Sequence, residues 1–310
     1  MPFNSGLAPN VVKTALDLVF QAEYDYPTMP GIATAETPLV FMQDSTDRQA
    51  VITEQFMGTG YWEERAENKD VHQSTARVGN QKTFPVLNFA DSVDISKNLF
   101  DDDQHSTVET MMRNFARNAR LSRDRNAFKG YYLGFSTVLT NDGQPLFSNS
   151  HVTLSGDTVD NLLTDELKES SLYDAVVALT LQKTQDGTLG GHEPAALIVA
   201  PKNFKKAMEI TKSELKPGTA NNDLNYYSQV YPGMQVFQSP FLATAYGGND
   251  DAWYVVSRNH SLYRWVRQDV LTTLVDWKFQ RNNSYIYKGE LRETVGPISY
   301  EGLVASNGTT

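Results

Sequence analysis

The sequence predicts an α+β chain of two lobes, on three observations. One long helical pattern fills residues 106–134, helices and strands alternate from residue 160, and the stretch 262–305 is strand-rich with turn residues between its strands. The chain has 310 residues, 40% of them hydrophobic, enough for one large domain or two moderate ones with a real core.

The first element is an amphipathic helix over 10–23. Val12, Ala15, Leu16, Val19, Phe20 and Ala22 follow helical spacing, and Pro9 stands where a first-turn proline is tolerated. Tyr26-Pro27, Met29-Pro30-Gly31 and Thr37-Pro38 then break the chain into a connector. Two readings stay open: a surface helix on a linker, or an arm that docks on a neighbouring subunit, since so short a helix is marginal alone.

Residues 38–56 read as extended, and Gly58-Thr59-Gly60 punctuates them. From 63 to 82 the only apolar residues are Ala66, Val71, Ala76 and Val78, among charges of both signs: Glu63, Glu64, Arg65, Glu67, Lys69, Asp70, Arg77 and Lys82. Such a segment buries little against its own core. Tyr61-Trp62 before it and Phe84-Pro85-Val86-Leu87 after it read as the legs of a protruding hairpin, the alternative being a plain flexible loop.

The acidic triplet Asp101-Asp102-Asp103 precedes the long helix and suits its positive end. Ser106 or Thr107 is the expected cap, with Glu109 in the first turn. Val108, Met112, Phe115 and Ala119 form one stripe, continued loosely by Ala127, Phe128 and Tyr131. Arg113, Arg117, Arg120, Arg123 and Arg125 sit mostly off it. They read as a solvated face, as inter-subunit ion pairs or, least well in an acidic protein, as nucleic-acid contacts.

Thr140-Asn141-Asp142-Gly143 is a hairpin turn signal, because Asp-Gly supplies positive φ readily. Ser171 with Asp174 reads as a capping box before Leu172, Val176 and Leu179. Ala195 to Ala200 reads as a buried strand, and Pro201 opens a helix with Phe204 and Met208 on one side. Residues 213–232 are loop-like. Strands follow at about 234–238 and 252–257 around the Gly247-Gly248-Asn249-Asp250 turn. In the tail, Asn282-Asn283 is a turn and Gly296-Pro297 a break. No repeat or low-complexity tract stands out.

The bulk numbers exclude several classes of function. A net charge of −10 argues against a usual nucleic-acid binder, which needs a basic footprint, and suits a wall that must not stick to nucleic acid. With no cysteine there is no disulfide, thiolate site or cysteine nucleophile. The first residues lack a signal-peptide pattern, and no apolar run approaches the ~20 residues that cross a bilayer, so no membrane association is expected. His72, His105, His151, His192 and His260 lack metal-ligand spacing. Asp101-Asp102-Asp103 with His105 reads as helix-start acidity, and Gly190-Gly191-His192-Glu193 as a turn. There is no nucleophile elbow, phosphate loop or dinucleotide fingerprint. A metal-free enzyme built around His151 or His192, with Ser148 or Ser150 nearby, is the alternative left from this class.

Three stretches carry a resemblance: Phe89-Ala90-Asp91-Ser92-Val93-Asp94-Ile95-Ser96, Leu99-Phe100-Asp101-Asp102-Asp103, and Asp142-Gly143-Gln144-Pro145-Leu146-Phe147-Ser148-Asn149-Ser150-His151. With the order of elements they resemble the major capsid proteins of tailed bacteriophages, the Hong Kong 97-type fold, and within these the Mu-like major head subunits. The likeness in residues is strong only over about 84–151. It implies an α+β capsid fold in four parts. Residues 1–40 would be an N-terminal arm. Residues 41–159 would begin the peripheral lobe, with an extended loop (56–91) lying over a neighbour and a spine helix (106–134). Residues 160–260 would be an axial lobe gathering subunits into pentamers and hexamers, and 261–310 would return to the peripheral lobe.

The implied function is a major capsid protein whose copies form an icosahedral shell around double-stranded DNA, not an enzyme, with no cofactor or metal. A bacterial nanocompartment shell is the alternative on the same fold. Implied inter-subunit contacts are the charged loop residues named above and Arg113, Arg117, Arg120 and Arg123 of the spine. Other implied partners are scaffold, portal and decoration proteins, with packaged DNA weakly contacted. Some relatives cross-link a lysine of the extended loop to an asparagine, for which Lys69 or Lys82 and Asn282 or Asn283 are the residues available. A scaffold would be a separate protein or a segment already removed. The place implied is the virion, after assembly in the host cytoplasm.

Overall fold

The computed structural model describes residues 9–309 except 27, 63, 74–75, 104–105 and 216–223. In chain order it holds α1 (Pro9–Tyr24), β1 (Met42–Ser45), β2 (Ala50–Met57), β3 (Arg77–Pro85), β4 (Leu87–Ser96), α2 (Lys97–Asp101), α3 (Thr107–Tyr132), β5 (His151–Val152), β6 (Thr158–Val159), β7 (Leu162–Leu163), α4 (Glu169–Thr180), β8 (Pro194–Val199), α5 (Pro201–Lys212), α6 (Tyr226–Val230), β9 (Gln235–Gln238), β10 (Trp253–Ser257), β11 (Leu262–Val275), β12 (Ser284–Pro297) and β13 (Leu303–Ser306). None of the described helices is long and apolar enough to cross a membrane.

Two larger sheets organise the chain, in the orders β1-β11-β12-β4 and β7-β13-β10-β8-β9. The spine α3 runs 26 residues, about 39 Å at 1.5 Å per residue. Its first half packs with α1 on the four-stranded sheet, through Met112, Phe115 and Ala116 against Ile95, Tyr285 and Tyr287. Its second half turns Ala127, Phe128 and Tyr131 to the five-stranded sheet, where Ile198, Tyr254, Val256, Leu303 and Ala305 meet them. The other face of that sheet, with Leu197, Val199, Trp253 and Val255, lies under α4 and α5. β8 and β10 are therefore buried on both faces, which is why 195–200 reads as an unbroken apolar run.

Several sequence expectations change. The α1 stripe Val12, Leu16, Phe20 and Tyr24 is buried against α3 of the same chain, so this helix is no free arm. Tyr287 and Thr272 donate to the Asp17 carboxylate at 2.7 and 2.8 Å and fix α1 on the sheet. The hairpin legs begin earlier than expected: β2 and β3 pair from Ala50↔Pro85 to Met57↔Arg77, in a ribbon of their own. Beyond Val86 the chain is already in the four-stranded sheet as β4. Ser106 sits at φ 54 and makes no cap; Asp103 caps the spine instead, accepting from Thr107 N–H at 2.8 Å and Val108 N–H at 3.0 Å. α4 starts at Glu169, and Ser171 closes the box on Lys168 N–H at 2.9 Å rather than on Asp174. The tail divides: β11 and β12 return to the first sheet, but β13 enters the second between β7 and β10.

Candidate interaction surfaces

The extended loop stands on the β2–β3 ribbon. Alternation along β2 buries Thr53 and Gln55 and exposes Ile52, Glu54 and Phe56. At the base, Phe84 is buried with its ring 5.4 Å from that of Trp265. Lys82 belongs to this base, not to the charged tip: its ammonium donates to the Leu139 carbonyl and lies 5.1 Å from the Phe84 ring centre. Burial lowers its pKa. The Thr53 hydroxyl donates to Asn141 Oδ1 at 3.2 Å.

Beyond Met57 the described residues form no strand until Arg77. Glu64, Arg65, Glu67, Lys69, Asp70 and Arg77 are exposed, as the pattern requires; Glu63 lies outside the described residues. The Arg65 Nε donates to the Lys69 carbonyl across a turn in which Asn68 takes φ 63. Trp62 is 97% exposed and Tyr61 72%. Aromatic rings so open to water mark a place where a partner would gain most by covering them.

The spine arginines divide into two kinds. Arg113 pairs with Glu109 at 2.7 Å, one turn away, and Arg117 donates to Asn114 Oδ1 at 2.7 Å. Arg120 donates to the Tyr26 carbonyl at 2.8 Å and so ties the connector to the helix. These three keep exposed surface for a further contact. Arg123 does not: only 3% of its side chain is exposed. It donates to Glu36 and, at 3.0 Å, to the Tyr24 hydroxyl, and lies 5.0 Å from the Tyr24 ring centre. Asp124 beside it is buried and accepts from Ala35 N–H at 2.9 Å. Arg123 is thus an internal brace between α1, the 33–37 turn and the spine, and offers nothing to a neighbour. Helical spacing places Arg123 within the buried stripe, four residues from both Ala119 and Ala127, and only its charge assigns it to the exposed face.

The residues weighed for chemistry are committed to structure. His151 is fully buried; its Nδ1 meets Asp142 Oδ2 at 2.7 Å and its Nε2 meets the Leu146 carbonyl at 3.2 Å, so neither nitrogen is free to serve Ser148 or Ser150. His192 is buried, which lowers its pKa, and lies under Gly190. His105 is outside the described residues. Among the described residues no three His, Asp or Glu groups could hold a metal. For a cross-link, Lys69 is exposed and Lys82 is taken; the Asn282 amide donates to Asp94 at 3.1 Å.

Two contacts of the loop were not foreseen. The Gly60 N–H donates to Asp186 Oδ2 at 3.2 Å, and the Leu189 N–H donates to the Tyr61 hydroxyl at 2.9 Å. The signal in the sequence was the recurrence of Thr-x-Asp-Gly at 140–143 and 184–187, too short to stand out as a repeat.

The sequence model of a phage capsid protein family matches residues 80–306. No curated protein matches the chain. Among solved structures, a protein of Microbacterium phage Oxtober96 is similar at 11% identity and a TM-score of 0.55, over 91% of this chain and 93% of that one. The capsid of Myoviridae phage XM1 is similar at 11% identity and a TM-score of 0.53, over 91% and 94%. A virus-like particle from Pyrococcus furiosus is similar at 10% identity and a TM-score of 0.56, over 94% and 98%. At these identities the likeness shows a shared fold.

Proposed function

The chain belongs to the phage capsid protein family and is a structural, shell-forming protein rather than an enzyme; from that premise we propose how its surfaces serve the shell. Copies of the chain associate with one another to build the icosahedral head of a tailed phage. The observation that carries the finer reading is the β2–β3 ribbon, paired with no other sheet and ending in a charged loop with an open tryptophan. Beyond its own-chain contacts at Gly60 and Tyr61, a tip built this way gains stability against another surface, and copies of the same chain provide one. Arg113, Arg117 and Arg120 are a second contact face. The five-stranded sheet with α4 and α5 is the lobe that meets its equivalents around the local axes.

The residue likeness over 84–151 supports kinship with Mu-like head subunits. A scaffold, a portal and decoration proteins are the further partners this reading assigns to the shell, with assembly in the host cytoplasm before the finished head encloses DNA.

The test is direct. Residues 62–75 are replaced by a short Gly-Ser turn, leaving β2 and β3 intact, and the product is imaged by negative stain with and without the phage's scaffold. Wild-type shells, and a folded variant that stays small, support the reading. Wild-type protein that never exceeds a dimer sinks it, and shells from the variant remove the loop from assembly.

A further inference from the structure

The same five-residue turn occurs twice. In Thr140–Gln144 and Thr184–Thr188 the threonine N–H donates to the fifth residue's carbonyl at 2.8 Å in both, and the glycine N–H returns to the threonine carbonyl at 3.1 and 3.0 Å. Gly143 and Gly187 take φ +84 and +81. In each turn the aspartate Oδ1 accepts from the threonine hydroxyl and from the fifth residue's N–H, at 3.1 Å for Asp142 and 3.0 Å for Asp186. One carboxylate oxygen thus closes each turn.

The second oxygen separates the pair. In Asp142 it accepts from buried His151 and serves the fold. In Asp186 it leaves its own hairpin and accepts from the Gly60 N–H, beside the Leu189–Tyr61 contact. The loop is shaped to receive it. A Cβ on Gly58 would lie 3.1 Å from Asp186 Oδ2, and Gly60 holds φ +70, a conformation that favours glycine. Gly58-Thr59-Gly60 is therefore a seat for a carboxylate. Burial alone would raise the Asp186 pKa; hydrogen bonds from Thr184, Thr188 and Gly60 outweigh it and hold it at about 2, so the group is an ionised acceptor at neutral pH.

We propose that Asp186 is a positioning residue for assembly: with the Leu189–Tyr61 contact it sets the direction in which the extended loop leaves the subunit, and hence where Trp62 and the charged tip meet the next copy. The proposal rests on the reading of that loop as a shell contact. The lower tethers at Lys82, Thr53 and Phe84 hold only the stalk, and the ribbon joins no other sheet. The final turn of the stalk is held from the second lobe by Asp186 and Leu189.

The experiment compares wild type with Asp186→Asn, Tyr61→Phe and the double variant. Asparagine keeps one acceptor for the turn but sets an amide donor against the Gly60 N–H. Tyr61→Phe removes the other contact and touches no part of the turn. In unassembled subunits, hydrogen exchange at Gly60 and Tyr61 and tryptic cleavage after Arg65 and Lys69 are expected to quicken about tenfold in the double variant, the effect of losing about 1.4 kcal/mol of local hydrogen bonding. A role confined to the 184–188 turn would quicken exchange at Thr188 and leave Gly60 and the Tyr61→Phe variant unchanged. Shells from the double variant are expected to be fewer or mixed in size. Unchanged exchange and cleavage overturn the proposal, and so do a loosened loop and shells of wild-type size and yield. Wild-type protein that builds no shell refutes the shell reading instead, and the exchange data still decide whether Asp186 holds the loop.

Discussion

The Arg264 guanidinium and the Glu293 carboxylate meet at 2.6 Å (Nε to Oε2) between β11 and β12, with 3% and 0% of their side chains exposed. Arg264 also donates to Gln43 on β1 at 3.2 Å, so one buried cation links three strands of the four-stranded sheet. Removing one partner strands the other charge in the interior, which costs about 3–5 kcal/mol. Glu293→Ala and Arg264→Ala are each expected to lower stability by that amount in urea unfolding. The pair Arg264→Met with Glu293→Leu is expected to recover most of it. A single variant that unfolds like wild type would show that the pair contributes nothing.

The spine's cap predicts a smaller effect. Asp103 satisfies two first-turn N–H groups of α3 that would otherwise lack partners. Asp103→Ala is expected to cost about 1–2 kcal/mol, read from the denaturation midpoint, while Ser106→Ala, which removes no cap bond, leaves it unchanged.

Acid sensitivity follows from His260. It is 2% exposed, and burial lowers its pKa from 6.5 to about 4. The unfolded chain then binds the proton more readily than the folded one. This contribution to stability is complete above pH 6.5 and falls as the pH drops toward 4, by up to about 3 kcal/mol. Unfolding midpoints measured between pH 7 and 4 should decline, and His260→Gln should flatten that decline. An equal decline in the variant would assign the effect elsewhere.

Gly296 marks where the loop's base meets the sheet. A Cβ there would lie 2.3 Å from the Phe84 ring, which is held against Trp265. Gly296→Ala is expected to cost about 1–3 kcal/mol by overpacking. It should also change Trp265 fluorescence, because the displaced ring is its neighbour. Unaltered fluorescence and stability would mean that Phe84 yields without consequence.

Local chemistry made much of this fold readable. Pro9 and Pro201 mark helix starts, Asp142-Gly143 marks its turn, and the 3.6-residue stripe of the spine places its buried face, because each signal lies within a few residues of its effect. The misread features depend on partners far along the chain. A stripe of Val12, Leu16 and Phe20 says that a face is buried, not that Phe115 and Tyr287 bury it. Arg123 carries the same charge as Arg117, and only Glu36 and Tyr24, 87 and 99 residues away, turn it inward. Asp103 outcompetes the expected Ser106 because Ser106 adopts a left-handed backbone that makes no cap bond. The charged tip of the loop was legible, since nothing in it can form a core. Its tether was not, since Asp142 and Asp186 look alike until the second oxygen of each finds its partner.

The position of β13 has a consequence in time. Residues 303–306 fill an interior place in the five-stranded sheet, between β7 and β10, and are made after every other described strand. While the ribosome is still adding them, Tyr254 and Val255 lack a neighbour on one side and the layers above and below cannot close. The lobe therefore completes only when synthesis has passed residue 306, long after the spine helix has emerged. A chain stopped before residue 303 lacks this strand, and its second sheet then presents β10 as an unpaired edge instead of an interior strand.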